Sequence, residues 1–461
     1  MPGKYSSILC MPCKFVGRDS ELEVLSKSWE SRPSFVVIYG RRRVGKTRLI
    51  REWLVRSGVK YVYFLAQLSS YGYNLRKFTE CASRTLHDVV LSKVRFSSLR
   101  DALDYIATRF NDVVVVIDEF TYWIRSSPKV LSEVQGFVDE VLPKTKLMLV
   151  ICGSLVGLML REVIGGGAPL YGRATVRLRV RSLRFRDFRE LLSGWRIEDV
   201  VRAYALVGGI PFYACLASKY PDLISAVRGL IASPGAPLVE EKYILLREEF
   251  REPHTYSSIL SAIARGYGTP SKISEVTGVD SSHVSKYLRV MEFLDFVKRI
   301  VPLFSKKGRY VISDPILRTW YVLIEPVIDL IEIGAYDEVL NHILRELDRY
   351  TSVTWEELVR QYLLSKYLKQ GFTVAGYLER KGEELDVAIL NTNKKEAVVA
   401  EVKWSDIDLD ELIKLRDKAL RKAHALLPKD YVVKDVYLAV KSLGKGEEKP
   451  YWVVTPNDLV T

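Results

Sequence analysis

Three short runs of apolar residues punctuate the first third of the chain. They occupy residues 35–39 in PSFVVIYG, 113–117 in DVVVVIDEF and 147–152 in KLMLVICGS. Each is continuous rather than alternating, the mark of a strand covered on both faces, as in a parallel sheet. Beyond residue 185 helical periodicity dominates. Within HTYSSILSAIARGYGTPSKISEVTGVDSSHVSKYLRVMEFLDF, apolar Ile259, Leu260 and Ile263 mark one helix. Thr269 and Pro270 open a second helix and Gly278 stops it. Asp280 and Ser281 can cap a third, which carries Val284, Leu288, Met291 and Leu294 on one face. VKRIVPLFSKKGRYVISD adds two strands with a basic tip. Residues 316–348 are helical and apolar. TWEELVRQYLLSKYLKQG reads as an amphipathic helix ended by Gly371, FTVAGYLER as a strand, and ELDVAILNTNKKEAVVAEVKW as a hairpin.

A chain of 461 residues has room for roughly two to four domains, and 48% hydrophobic residues supply ample core. The net charge of +13 favours a polyanionic partner such as nucleic acid. The longest apolar run, residues 147–160, is closed by Lys146 and Arg161 and falls short of the ~18 residues a membrane span needs. MPGKYSSILCMPCK holds no apolar run long enough for a secretory signal. These patterns predict a soluble, cytoplasmic chain with no membrane partner. Glutamine occurs 4 times and asparagine 6 times against 69 Lys+Arg, a balance typical of thermophiles. Cys10 and Cys13 form a C-x-x-C pair with no second pair and no nearby histidine, so chance spacing is favoured over zinc or redox chemistry.

The first apolar run leads into Gly40-x4-Gly45-Lys46-Thr47 and then an amphipathic helix. This is the phosphate-binding loop in the strand–loop–helix setting that it requires. Glycines let backbone N–H groups converge on phosphate oxygens at a helix N-terminus. Lys46 reaches the β- and γ-phosphates of ATP, and the Thr47 hydroxyl ligates Mg²⁺. The second run ends in Asp118 and Glu119, the first suited to Mg²⁺ and the second to polarising the attacking water. The third ends at Ser154, which could sit between metal-bound water and γ-phosphate. Arg173 follows a glycine run and reads either as a cation that neutralises transition-state charge or as a surface cation. The turn at residues 208–211 could fold back over the nucleotide.

FVGRDSELEVL, YGRRRVGKTRL, VVVVIDEF, CGSLVGLM, PLYGRAT and GGIPFY, in that order over residues 15 to about 215, together resemble the archaeal ATPase family. These are AAA+-related NTPases close to the signal-transduction (STAND) branch. The resemblance implies that Phe15, Val16 and Arg18 lie near the adenine and that Ser154 is a sensor-type residue. It also implies that Arg173 is a nucleotide-sensing or finger arginine, in which case it could act on a neighbouring subunit of a homo-oligomer. Ser182 stands where the family usually has proline, which bears on a local turn.

The three helices and two strands of the middle region read as a winged helix, a DNA-reading shape. Residues 281–310 hold seven Lys/Arg (286, 289, 298, 299, 306, 307, 309) and two acids (292, 295). The third helix exposes His283, Lys286 and Arg289, and the tip exposes Lys306 and Lys307, all suited to DNA contact. The alternative is a module for protein contacts or a lid for the ATPase.

In the hairpin, a turn centred on Asn393–Lys394 places Asp386 directly opposite Glu401. Lys403 shares the face of Glu401. Two carboxylates on an otherwise apolar sheet face repel unless a cation joins them, and a divalent metal answers this. The pattern Asp-x(14)-Glu-Val-Lys resembles the PD-(D/E)xK nuclease superfamily. Residues 352–405 resemble the endonuclease-like domain often fused to archaeal ATPases, although Leu385 stands where proline would be. The resemblance adds Glu356, after Trp355, as a further metal ligand, with Glu357 as a neighbour that could substitute. The second metal would be Mg²⁺ or Mn²⁺, and Lys403 the catalytic cation.

The expected fold is α/β: a P-loop ATPase core with a parallel sheet (1–180), a helical lid (181–250), a winged helix (251–325), a helical linker (326–350) and a small endonuclease-like domain (351–461). Two functions fit. One is an ATP-binding and hydrolysing protein that binds DNA and cleaves it with a divalent metal. The other is a non-cleaving, STAND-like ATP switch in regulation or defence.

Overall fold

The computed structural model describes residues 13–250, 252–444 and 448–460. Cys10 lies outside them. The chain divides into two compact units. Of the described residues, one holds 17–182 with 210–212, and the other holds 13–16, 183–209 and those from 213 onward. The division at Ser182/Leu183 falls beside the expected edge of the ATPase core. Residues 13–16, expected within that core, belong instead to the other unit. There Cys13 forms a disulfide with Cys215, so its partner is a residue 202 positions away and not Cys10.

The first unit is a five-stranded parallel sheet of β1 (Ser34–Tyr39), β2 (Lys60–Leu65), β3 (Val113–Asp118), β4 (Met148–Gly153) and β5 (Val176–Arg179), in the order β2-β3-β4-β1-β5. The continuous apolar runs explain the arrangement, since every residue of β3 and β4 is buried. Helices Tyr71–Leu86, Leu99–Arg109 and Lys129–Glu140 pack Phe78, Leu103 and Phe137 against Val115 and Ile117 on one face. The helix Lys46–Ser57 buries Leu49, Ile50, Trp53 and Leu54. Fully burying one such side chain contributes about 1.5–3 kcal/mol, so both faces need their helices.

The second unit begins with a run of helices that includes Ile197–Val207 and Pro237–Glu249. Helices Pro253–Ala264, Pro270–Thr277 and Ser281–Phe293 follow, then an antiparallel pair, β6 (Val297–Ile300) and β7 (Arg309–Ile312). One helix then runs without a break from Tyr336 to Tyr367. It crosses residue 350, so the expected linker and the expected C-terminal domain are not separated there. The chain ends in a mixed sheet of β8 (Val374–Arg380), β9 (Glu383–Asn391), β10 (Glu396–Val402), β12 (Val432–Ala439) and β14 (Val453–Val454), in the order β14-β12-β10-β9-β8. Short strands β11 (Asp406–Ile407) and β13 (Ser442–Leu443) pair beside it. The helix Leu409–Leu426 covers one face with Leu412, Ala419, Ala423 and Leu426.

Among the described residues, no helix is long and apolar enough to cross a membrane.

Candidate functional sites

The phosphate loop sits at the carboxyl end of β1. Gly40 has φ +155°, and a Cβ there would lie 2.3 Å from the Val180 carbonyl oxygen. No side chain fits. Gly45, at φ +95°, turns the chain into the helix Lys46–Ser57. Lys46 is buried, with Nζ donating to the carbonyls of Gly40 (2.8 Å) and Arg41 (3.0 Å). Arg18, expected near the adenine, clamps this loop: its guanidinium donates to Val44 O (3.0 Å), Arg181 O (2.7 Å) and Glu21 (2.8 Å). Phe15 and Val16 lie in the other compact unit. The turn 210–212 does return to the loop. Arg43 Cζ lies 4.5 Å from the Phe212 ring centre, and Pro211 faces Gly45.

Asp118, at the end of β3, is fully buried. Its Oδ2 accepts from the Thr47 hydroxyl at 2.6 Å and also from the Tyr63 hydroxyl, and its Oδ1 accepts from Glu119 N at 2.9 Å. Glu119 adopts φ +51°, a left-handed conformation that costs a non-glycine residue about 1–3 kcal/mol and is typical of functional positions. Burial raises its carboxyl pKa, and Lys46 pulls it back down. Ser154, just past β4 and between β1 and β3 in the sheet order, donates to Glu119 through both Oγ (2.7 Å) and N (3.3 Å). Mg²⁺ and a nucleotide triphosphate fit these residues: a glycine cradle, a helix N-terminus, a buried ammonium, and the hard oxygens of Thr47 and Asp118.

Arg173 is not brought to this site within its own chain. Two residues later Thr175 bonds Phe35 at the start of β1 (N to O 2.8 Å), the opposite end of that strand from Gly40. Five residues along the strand separate those ends, about 17 Å. The Arg173 guanidinium is instead held by Asp139 (2.7 Å) and Pro169 O (2.8 Å).

In the C-terminal sheet β9 and β10 pair from Glu396↔Asn391 to Ala400↔Val387. The next step of that register sets Glu401 opposite Asp386, as counting from the turn predicts. Glu356, Asp386 and Glu401 are nevertheless not gathered into a metal-holding group. Among the described residues there is no group of three or more His, Cys, Asp or Glu placed to hold one. Asp386 Oδ2 accepts from Val402 N at 2.7 Å. Both oxygens of Glu401 accept from Lys422 Nζ, at 2.9 and 3.0 Å, and Lys403 Nζ lies 3.3 Å away. Lys422 belongs to the helix Leu409–Leu426 between buried Ala419 and Ala423, whose small side chains admit it to the sheet face. Ammonium groups therefore supply the cation beside Glu401 in this structure. Glu357 does not stand in for Glu356: it is bound by Arg360 (2.8 Å), Gln361 (3.0 Å) and Lys298 (3.4 Å).

Burial, and then Asp386, push the Glu356 carboxyl up to about 7. Burial, and then Glu401, push Asp386 up to about 6. The folded state thus holds protons that the unfolded chain releases. Stability contributed by these groups is present at low pH and is lost as pH rises through the folded values. With chelator present, the C-terminal region is expected to lose roughly 2–3 kcal/mol between pH 5 and pH 8, as about 1.4 kcal/mol per pKa unit implies. Glu356→Gln should flatten most of that slope. Urea midpoints that rise with pH would contradict it.

His283, Lys286 and Arg289 are exposed on the helix Ser281–Phe293, and Lys306 and Lys307 are exposed between β6 and β7. That loop is not a free tip. Leu303 N donates to Tyr377 O at 2.8 Å on edge strand β8, and Phe304 meets Tyr431 at 5.5 Å between ring centres.

Residues 15–215 match a family described as ATPase domains predominantly from Archaea, and residues 320–417 match archaeal and bacterial proteins of unknown function. An uncharacterized protein of Methanocaldococcus jannaschii is 31% identical over 449 residues, 95% of either chain. The chain belongs to this archaeal ATPase family. An uncharacterized ATP-binding protein of the same organism is 47% identical over 47 residues, 10% of this chain and 80% of that one. Among solved structures, a Walker-type ATPase of Pyrococcus abyssi superposes with a TM-score of 0.50 at 20% identity, covering 68% of this chain and 99% of that one. The Aeropyrum pernix ORC2 protein gives 0.45 at 13% identity, over 73% and 97%. The likeness to the Walker-type ATPase shows the P-loop ATPase fold. Tyr63 and Lys422 escaped sequence reasoning. The alternation of KYVYFL signals the first, and the Ala419-x-x-Lys422-Ala423 face the second.

Proposed function

We propose that this ATPase is an ATP-driven switch whose three-helix and hairpin module is a winged helix that binds DNA, and whose C-terminal module docks without cutting. The observation that carries the non-cleaving reading is the two-oxygen grip of Lys422 on Glu401, which fills the place a metal would take. DNA binding is supported by the exposed cations of the helix Ser281–Phe293 together with the net charge of +13. Alanine at both Lys286 and Arg289 is expected to weaken duplex DNA binding about tenfold or more and to lower the salt slope by about 2. Unchanged affinity and slope, measured by fluorescence anisotropy, would remove the DNA reading.

A second reading, metal-dependent cleavage of the PD-(D/E)xK type, is favoured by the register that opposes Asp386 to Glu401 and by Lys403 beside them. Plasmid and single-stranded DNA with Mg²⁺ or Mn²⁺, with and without ATP, separate the two. The docking reading expects no cutting. Cutting that disappears in Asp386→Ala and Lys403→Ala would establish the second. Arg173, near the amino ends of the strands and away from the phosphate loop, serves a nucleotide only in a second copy of the chain.

A further inference from the structure

Strand β2 brings to the nucleotide site a residue outside the recognised motifs. Val62 and Phe64 of β2 pack into the core with Val115 and Ile117. Alternation therefore turns Tyr61, Tyr63 and Leu65 to the opposite face. In the parallel register Tyr63 lies beside Val116 and Leu65 beside Asp118, so Tyr63 shares the face of Asp118. The helix Lys46–Ser57 supplies the neighbours there: Arg51 Cζ lies 4.9 Å from the Tyr63 ring centre, one turn beyond Thr47. The Tyr63 hydroxyl donates to Oδ2 of Asp118, the same oxygen that accepts from Thr47. With Oδ1 held by Glu119 N, a fully buried carboxylate is fixed from three elements: helix, β2 and the β3 end.

We propose that Tyr63 is a positioning residue for the divalent metal of the bound nucleotide, acting through Asp118. Thr47 and Asp118 are the residues that would hold the metal. Tyr63 sets the orientation of the carboxylate from the strand side and keeps it set if the Thr47 hydroxyl turns away. Loss of such an outer hydrogen bond typically costs roughly 10–100-fold in metal affinity. The proposal rests on the nucleotide reading of the phosphate loop.

Tyr63→Phe keeps the ring, the Arg51 contact and the strand pattern, and removes only the hydroxyl. Binding of a fluorescent ATP analogue is measured in EDTA and then through a Mg²⁺ titration. The expected result is wild-type affinity in EDTA and a Mg²⁺ midpoint raised about tenfold or more. An unchanged midpoint overturns the proposal. So does an equal loss with and without Mg²⁺, which marks a general structural role. Arg51→Met, which leaves the hydroxyl in place, should keep the wild-type midpoint, and a shift as large as that of Tyr63→Phe would also overturn it. Wild-type protein with no Mg²⁺-linked binding at all would sink the nucleotide reading itself, a distinguishable outcome.

Discussion

Lys46→Ala is expected to abolish ATP hydrolysis and nucleotide binding together, whereas Glu119→Gln should bind ATP normally and turn it over roughly 10²–10⁴-fold more slowly. The two side chains face one another electrically but act on different quantities. Lys46 is a buried ammonium lodged among the carbonyls of its own loop, where a phosphate would offer it stronger, charged acceptors. Alanine removes that charge and leaves two loop carbonyls short of a donor. It also withdraws the cation that holds down the Glu119 pKa, so the base drifts further toward its neutral, inactive form. Glutamine at position 119 keeps the volume and the bond from Ser154 but cannot take a proton from water. Phosphate release and binding of a fluorescent nucleotide, measured side by side, distinguish the cases. Normal turnover in Lys46→Ala would remove the phosphate-loop assignment. Normal turnover in Glu119→Gln would move the base elsewhere.

The parts of this site that could be read from sequence share one property: their partners are near in the chain or fixed by strand geometry. β3 and β4 declared themselves because burial on both faces leaves no polar position before Asp118 in the one and none in the other. The Asp386–Glu401 opposition followed from counting, because an antiparallel pair has only one register for a given turn. The place of Arg173 was not legible, for the converse reason. Its flexible glycine run fixes no direction, and only the parallel pairing of β5 with β1 shows which end of the strands it occupies.

Lys422 and the long helix were hidden by misleading local signals. Thr354-x-x-Glu357 has the form of a capping box and suggests that a helix starts there. In the structure the Thr354 hydroxyl accepts from the Arg318 guanidinium at 3.0 Å inside one continuous helix, which buries Tyr350 and Trp355 on either side of that point. Lys422 lies in a sequence that reads as an ordinary charged helix face. Only the closeness allowed by Ala419 and Ala423 shows that it points at Glu401.

Breaking the Cys13–Cys215 disulfide is expected to destabilise its unit by as much as about 5 kcal/mol, the loop-closure value for a loop of this size. The two cysteines are 202 residues apart, and the intervening chain contains the whole of the nucleotide-binding unit's 17–182 segment. A long closed loop gives the largest entropic effect, but only if that segment unfolds with the rest. Should it stay folded while the other unit opens, the effective loop is shorter and the loss smaller. The segment carrying Phe15 and Val16 has the exposed Lys14–Glu190 ion pair nearby, and such pairs fasten little. Cys215, by contrast, is buried beside Tyr213 and Ala214 on the helix Pro211–Ala217, so the clip anchors the segment to core. Denaturant midpoints of oxidised protein, reduced protein and Cys215→Ser measure the effect, with alkylation and mass spectrometry reporting the thiols. Equal midpoints for all three would show that packing alone holds the N-terminal segment.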